Sequence, residues 1–116
     1  MILRDLELGA MQAHILYHAT IEPIYGSWMA GELAHHGYTI SYGTLYPMLH
    51  RMQQEGLLAC EERREGSQLR KYYRATEQGV RDLEQIRQRI RELYQELVLE
   101  KPGASSEHPS SRYGEA

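Results

Sequence analysis

Residues 41–58 read Ser41-Tyr-Gly-Thr-Leu-Tyr-Pro-Met-Leu-His-Arg-Met-Gln-Gln-Glu-Gly-Leu-Leu58, and this stretch decides the fold. Leu45, Met48, Leu49 and Met52 fall within about 100° of one another on a wheel turning ~100° per residue, so they form one apolar stripe. The opposite side carries Gly43, Pro47, His50 and Gln54, flanked by Tyr46 and Arg51. Gly56 supplies the stop, since a glycine takes the left-handed conformation that closes a helix. Pro47 lacks a backbone donor and is easiest to place in the first turn, which puts the helix start nearer Thr44 than Tyr42. No acidic residue occurs between Ser41 and Gln54.

The segments on either side follow from similar spacing. Upstream, Leu8, Met11, Ile15 and Ala19 recur at steps of three and four, with Leu16 widening the stripe, so a helix is expected over Asp5–Thr20 and ends before Pro23. A short helix over Ser27–His36 buries Met29 and Leu33 and stops at Gly37. Downstream, Leu57–Arg64 and Leu69–Ala75 are strands joined by the loop Glu65-Gly66-Ser67-Gln68. Leu69, Lys71 and Tyr73 alternate with Arg70, Tyr72 and Arg74, which predicts one packing face and one face of projecting positive charge. A long helix over Glu77–Glu100 follows, with Thr76 as its cap. Its Leu83, Ile86, Ile90, Leu93 and Leu97 form a 3-4-3-4 seam two heptads long. Such a seam needs a partner to bury it. It extends past what a three-helix core can cover, so a second copy of the chain is favoured over the chain's own first helix.

Composition sets limits on function. The chain has 116 residues, Lys+Arg 13 against Asp+Glu 16, and a formal net charge of -3, which rules out a uniformly basic surface. Its positive charge is local: residues 41–74 hold six bases against four acids, while the segments before and after are net acidic. Arg63, Arg64, Arg70, Lys71 and Arg74 bracket the hairpin turn. One cysteine, Cys60, excludes an internal disulfide or a cysteine-rich zinc site and suits a small buried strand position. The N-terminus lacks the bases and apolar run of a signal peptide. The stretch without Asp, Glu, Lys or Arg, Leu33–His50, holds three His, two Gly and a Pro and cannot span a membrane, so a cytoplasmic location is expected. Residues 101–116, rich in Pro, Gly and Ser, read as a disordered tail. No phosphate loop, catalytic Ser-His-Asp order or paired acids suggest an enzyme, and no cofactor is implied. His14 and His18, four apart, share a helix face. No carboxylate or thiol stands at ligand spacing from them, so no metal ligands are assigned.

Three helices, a basic hairpin and a seam helix make a mainly α chain with a small β-hairpin. This is the order of a winged helix-turn-helix plus a long C-terminal helix, with boundaries at 1–76, 77–100 and 101–116. An acid-free helix of small and hydrogen-bonding residues can enter a DNA major groove, and a basic wing can reach the neighbouring backbone. The run Ser41–Leu58 also resembles the recognition-helix signature of PadR-type transcriptional regulators. Arg70-Lys-Tyr-Tyr-Arg-Ala-Thr-Glu-Gln-Gly79 is similar to that family's wing-strand motif, and Gly26 falls where its second helix begins. The resemblance covers roughly residues 6–99. It implies a dimeric repressor, joined through its last helix, on a palindromic operator in double-stranded DNA.

Carried over, the resemblance puts Ser41, Tyr42, Gly43, Thr44, Tyr46, Pro47, His50 and Arg51 at the DNA, with Arg64, Arg70 and Lys71 on phosphate from the wing. Tyr73 would pack between wing and helix. Leu83, Ile86, Ile90, Leu93 and Leu97 would form the dimer seam. Tyr25-Gly26-Ser27-Trp28-Met29 departs from the family's usual pattern, which puts Trp28 where a polar residue is usual. Family members that bind flat aromatic drugs use a tryptophan in the last helix, where this chain has only Tyr94 as an aromatic. A small-molecule inducer is left open without identity. The competing reading is a winged-helix module that binds protein, for which an acidic or apolar face on residues 41–54 would be expected.

Overall fold

The computed structural model describes residues 1–100; the tail expected at 101–116 lies outside the described residues. Its elements are α1 (Ile2–Ile21), α2 (Gly26–His35), α3 (Tyr42–Gln54), β1 (Leu58–Glu65), β2 (Gln68–Ala75) and α4 (Glu77–Leu97). Most of the core is the set of stripes read from the sequence, joined by Ile24, Leu58, Tyr72, Tyr73 and Leu83. Met11, Ile15, Leu16 and Ala19 of α1 are buried with Met29 and Leu33 of α2 and Leu45, Met48, Leu49 and Met52 of α3. Leu8, expected on the α1 stripe, is half-buried.

Both glycine stops work through the same pair of bonds. At the end of α2, Gly37 has φ 90°, its N–H donates to the Ala34 carbonyl, and the Tyr38 N–H donates to the Leu33 carbonyl. At the end of α3, Gly56 has φ 82°, and its N–H and that of Leu57 reach the carbonyls of Gln53 and Met52. These bonds satisfy carbonyls that the helix end would leave open.

The start of α3 differs from expectation. The helix begins at Tyr42, with the Ser41 carbonyl accepting from the N–H groups of Thr44 and Leu45. Pro47 is therefore inside the second turn. The helix tolerates it because the bond it removes is the one to the carbonyl of Gly43, an exposed residue that water can serve.

The hairpin turn is tighter than expected. β1 and β2 pair without a break from Leu58↔Ala75 to Glu65↔Gln68, leaving only Gly66 and Ser67 unpaired. Gly66 has φ 65° and Ser67 has no positive φ, the pattern of a two-residue turn with glycine first. At its base the hairpin gains a third short partner. Ile24 and Tyr73 exchange both backbone bonds, at 2.8 and 2.7 Å, so the segment after α1 is tied to β2.

Thr76 caps α4 as expected: its Oγ1 accepts from the Gly79 N–H at 3.0 Å. Position 79 has no room for the acid that would close a capping box. A Cβ there would strike the carbonyl oxygen of Leu57. The chain divides into two compact units, Met1–Glu84 and the segment from Gln85 onward. The first unit thus runs past residue 76 into α4, because Gly79 and Leu83 are buried. From Gln85 on, Ile86 is half-buried, and Ile90, Leu93, Tyr94 and Leu97 are exposed. No helix among the described residues is long and apolar enough to cross a membrane.

Candidate nucleic-acid interface

Burying Leu45, Met48, Leu49 and Met52 turns the other side of α3 outward. Ser41, Tyr42, Gly43, Thr44, Tyr46, Pro47, His50 and Arg51 are all exposed. Tyr42 and Tyr46 stack with ring centroids 5.5 Å apart, so the first turn presents a paired aromatic plate. Tyr46 is also braced from behind. Gly26, the first residue of α2, lies so close to its ring that a Cβ would fall 2.8 Å from Cζ and 2.9 Å from Oη. Any other side chain at this position would push the exposed Tyr46 ring out of its present place.

A cleft of about 880 Å³ runs beside this face. Tyr46, Pro47 and His50 line it from α3, and Gln68, Leu69, Arg70, Lys71 and Tyr73 line it from β2. Tyr25, Gly26 and Ser27, at the start of α2, complete it. No side chain makes a cap hydrogen bond at the start of α2, and Gly26 and Ser27 of its first turn line the cleft. Ser41, Tyr42, Gly43, Thr44, Arg51 and Arg64 do not line the cleft. They extend the exposed surface along α3 and out along the wing. The sequence reading did not identify Tyr25, Ser27, Gln68 and Leu69 as part of this site. Tyr25-Gly26-Ser27 was visible only as a departure from a familiar pattern.

The wing keeps the expected division of its faces but not the expected free charge. Residues directly opposite in the register share a face, so Arg63, Arg70, Arg74, Glu61, Glu65 and Tyr72 lie together. Each arginine on this face pairs with one of its two acids, three bases against two, so its positive charge is partly offset. Tyr72 is buried and edge-on to Tyr25, its hydroxyl donates to Glu65 at 2.8 Å, and the Arg63 guanidinium lies 4.3 Å from its ring centroid. Arg70 pairs with Glu65 at 3.1 Å and stacks on Tyr25 at 4.1 Å. Arg74 and Arg63 both reach Glu61 at 3.4 Å. The hydrogen bond to Glu65, then burial, holds the Tyr72 hydroxyl above the ordinary tyrosine range.

The other face carries Arg64, Lys71, Glu62, Leu69, Cys60 and Tyr73. At its base Tyr73 is buried and Cys60 half-buried, and burial, then Cys60, pushes the Tyr73 pKa up. At its tip Arg64 and Lys71 have no ion-pair partner among the described residues. Arg51 on α3 has none either. The unengaged bases are therefore Arg51, Arg64 and Lys71, whereas Arg70 is already held by an acid and a ring.

Two other expectations change. Leu83, expected on the outer seam, is 4% exposed and belongs to the core of the first unit. The absence of metal ligands was inferred from the lack of a carboxylate near His14 and His18 in sequence. In the fold α2 brings Glu32 and His36 to them, with one ring nitrogen from each of His14, His18 and His36 within 4.8 Å of the others. None of these residues lines the cleft.

The chain matches the profile of the "Transcriptional regulator PadR-like family" over residues 15–85. It is 41% identical over 96 residues to a transcriptional regulator of Mycobacterium tuberculosis, covering 83% of this chain and 90% of that one. Among solved structures it is similar to a PadR family transcriptional regulator from Eggerthella lenta, at 37% identity and a TM-score of 0.71, covering 79% of this chain and 81% of that one. A PadR-like transcriptional regulator from Bacillus cereus is similar at 34% identity and a TM-score of 0.65, covering 72% and 84% of the two chains. A family of DNA-binding regulators, not of enzymes, accounts for an acid-free helix face beside a wing with unengaged bases, and the chain belongs to the PadR-like transcriptional regulators.

Proposed function

We propose that the protein is a homodimeric repressor, acting in the cytoplasm, that reads a palindromic operator with α3 and steadies itself on the flanking backbone with the wing. The observation that carries this reading is the exposed, acid-free outer face of α3 beside a cleft whose far wall is β2. Gly43, Thr44, Tyr46, His50 and Arg51 are the groups for base edges, because small and hydrogen-bonding side chains let a helix approach the groove floor. Ser41, Tyr42 and Pro47 complete the contact surface at the helix start. Lys71 and Arg64 are unengaged and supply the phosphate contacts of the wing. Arg70 contributes less there, because Glu65 and Tyr25 already hold it.

The dimer follows from the seam beyond Glu84. Ile86, Ile90, Leu93 and Leu97 repeat at heptad spacing, and the last three are exposed. A two-fold pair would hold two α3 copies about 34 Å apart, one turn of DNA, so the operator should be an inverted repeat. Binding such a site across a promoter blocks transcription. A small molecule that altered the spacing of the two copies would relieve it.

The test is an anisotropy titration of the full chain against the promoter of its own gene and an unrelated duplex, at two salt concentrations. The expected result is preferential, steeply salt-dependent binding to the promoter, with Arg51→Ala losing about 1–3 kcal/mol on the promoter and little on the unrelated duplex. Equal, Arg51-independent binding to both would contradict base reading by α3. Binding to neither duplex, together with capture of a protein through the α3 face, would favour the protein-binding module.

A further inference from the structure

His14 and His18 stand one turn apart on α1, and Glu32 and His36 stand one turn apart at the end of α2. The two pairs face each other. His18 Nε2 lies 3.5 Å from Glu32 Oε2, and His36 Nε2 lies 3.4 Å from that same oxygen. The rings of His14 and His36 stack at 4.5 Å between centroids, which brings the third imidazole to the cluster, and one ring has to turn out of the stack before both nitrogens face a common ion. Separations near 3.4 Å are close to the edge of a tetrahedron with metal–ligand bonds of about 2.0–2.1 Å. The widest nitrogen separation among the three histidines is 4.8 Å, which side-chain rotation can shorten.

From this geometry we propose that His14, His18, His36 and Glu32 form a binding site for a divalent transition-metal ion of the zinc type. Three neutral imidazoles and one carboxylate suit an ion of borderline softness and disfavour calcium or magnesium, which take oxygen ligands. The donors gather from two helices, and His36 is exposed, which gives the ion a way in. An ion there cross-links α1 to α2, the helix whose other end braces Tyr46 in the cleft. The proposal stands apart from the reading of DNA, since none of the four residues belongs to that surface.

Trp28 provides an internal reporter. It is the chain's single tryptophan, and its ring centroid lies 5.3 Å from that of His18. The experiment uses the untagged full-length chain, freed of metal by chelator and dialysis. Zn²⁺ is titrated calorimetrically, and Co²⁺ is followed by visible absorption and by quenching of Trp28. One Zn²⁺ per chain is expected, with Co²⁺ quenching saturating at the same stoichiometry and Mg²⁺ giving no heat. His18→Gln and His36→Gln should each weaken Zn²⁺ binding by roughly tenfold or more, with circular dichroism unchanged. His35→Gln, at the neighbouring position but outside the cluster, should bind as the parent does. Absence of saturable Zn²⁺ binding would overturn the proposal. So would Zn²⁺ binding that both cluster variants leave intact, since that would place the ion elsewhere on the chain.

Discussion

α3 and α4 are both amphipathic, and they treat their apolar faces in opposite ways. On α3, Leu45, Met48, Leu49 and Met52 are at most 1% exposed. On α4 beyond Glu84, Ile90, Leu93 and Leu97 stand at 52, 46 and 66%. The first stripe is satisfied within the chain, and that packing fixes which side of α3 faces out. The second remains solvent-exposed, the condition under which a heptad seam draws in a second helix. An apolar stripe in sequence therefore does not tell which chain will cover it. Leu83 and Ile90 belong to one continuous periodicity, yet Leu83 is core and Ile90 is surface.

The contrast can be broken at either end. Leu49→Ala should destabilise the winged unit by about 2–5 kcal/mol, read as a lower denaturant midpoint, because it empties a filled core position. Leu93→Ala, at an exposed site, should leave the unfolding of that unit nearly unchanged while weakening self-association. Ile90→Asp combined with Leu93→Asp should shift the chain to monomer in sedimentation. It should also lower operator affinity by at least about a hundredfold, since a lone half-site loses the gain of simultaneous engagement. A monomer that kept parental affinity would remove the seam from the account.

The wing offers a finer version of the same contrast between a satisfied face and an open one. Lys71→Ala should weaken binding to every duplex and lower the salt slope by about 0.9, the loss of one phosphate contact. Arg70→Ala should cost less in salt slope, since Arg70 already pairs with Glu65. Its removal also takes the guanidinium off the Tyr25 ring and leaves Glu65 with Tyr72 alone, so its larger effect should be on wing stability. Equal salt-slope losses in the two variants would mean that Arg70 leaves Glu65 on binding.

The smallest expected effect is on pH dependence. Burial, then His36 and His18, lowers the His14 pKa in the folded chain, and Glu32 opposes this. Above the ordinary histidine value of about 6.5 neither state holds the proton on His14, and its neutral packing is fully in place. As pH falls below that value the unfolded chain takes up a proton that the folded chain resists, so stability declines until the folded pKa is passed. Chemical denaturation of the parent between pH 7.5 and 5.5, a window of about two units around that value, should show the decline, and His14→Gln should flatten it. An equal slope in both would assign the decline to other groups.

How much was legible in the sequence depended on the range of the interaction. The stripes, the stops at Gly37 and Gly56, and the Thr76 cap are local signals, and each reappears in the structure. The start of α3 was misplaced because the sequence does not show that the bond lost to Pro47 falls at an exposed glycine. The alternation placed the wing residues on the right faces, but the charge of the Arg70, Tyr72 and Arg74 face was misjudged, because its partners Glu61, Glu65 and Tyr25 lie outside that strand and alternation within one strand cannot register them. Glu32 and His36 were invisible as partners of His14 and His18 for a related reason: two i, i+4 pairs on separate helices become a cluster only when the helices pack. The outer face of α3 was readable, because the position of its buried stripe left only one side for solvent. Tyr25 and Ser27, which complete the cleft, carried no signal beyond an unusual dipeptide context around Gly26.

The central claim is that two copies of α3, held by the α4 seam, read two inverted half-sites. The most direct test is to enrich binding duplexes from a random pool with the full-length chain and sequence the survivors. The account predicts an inverted repeat with half-site centres about one helical turn apart, roughly 10–10.5 base pairs. It also predicts that the repeat is lost when Arg51→Ala or the Ile90→Asp, Leu93→Asp chain is used. A single unpaired motif, or a pool that never converges, would contradict it.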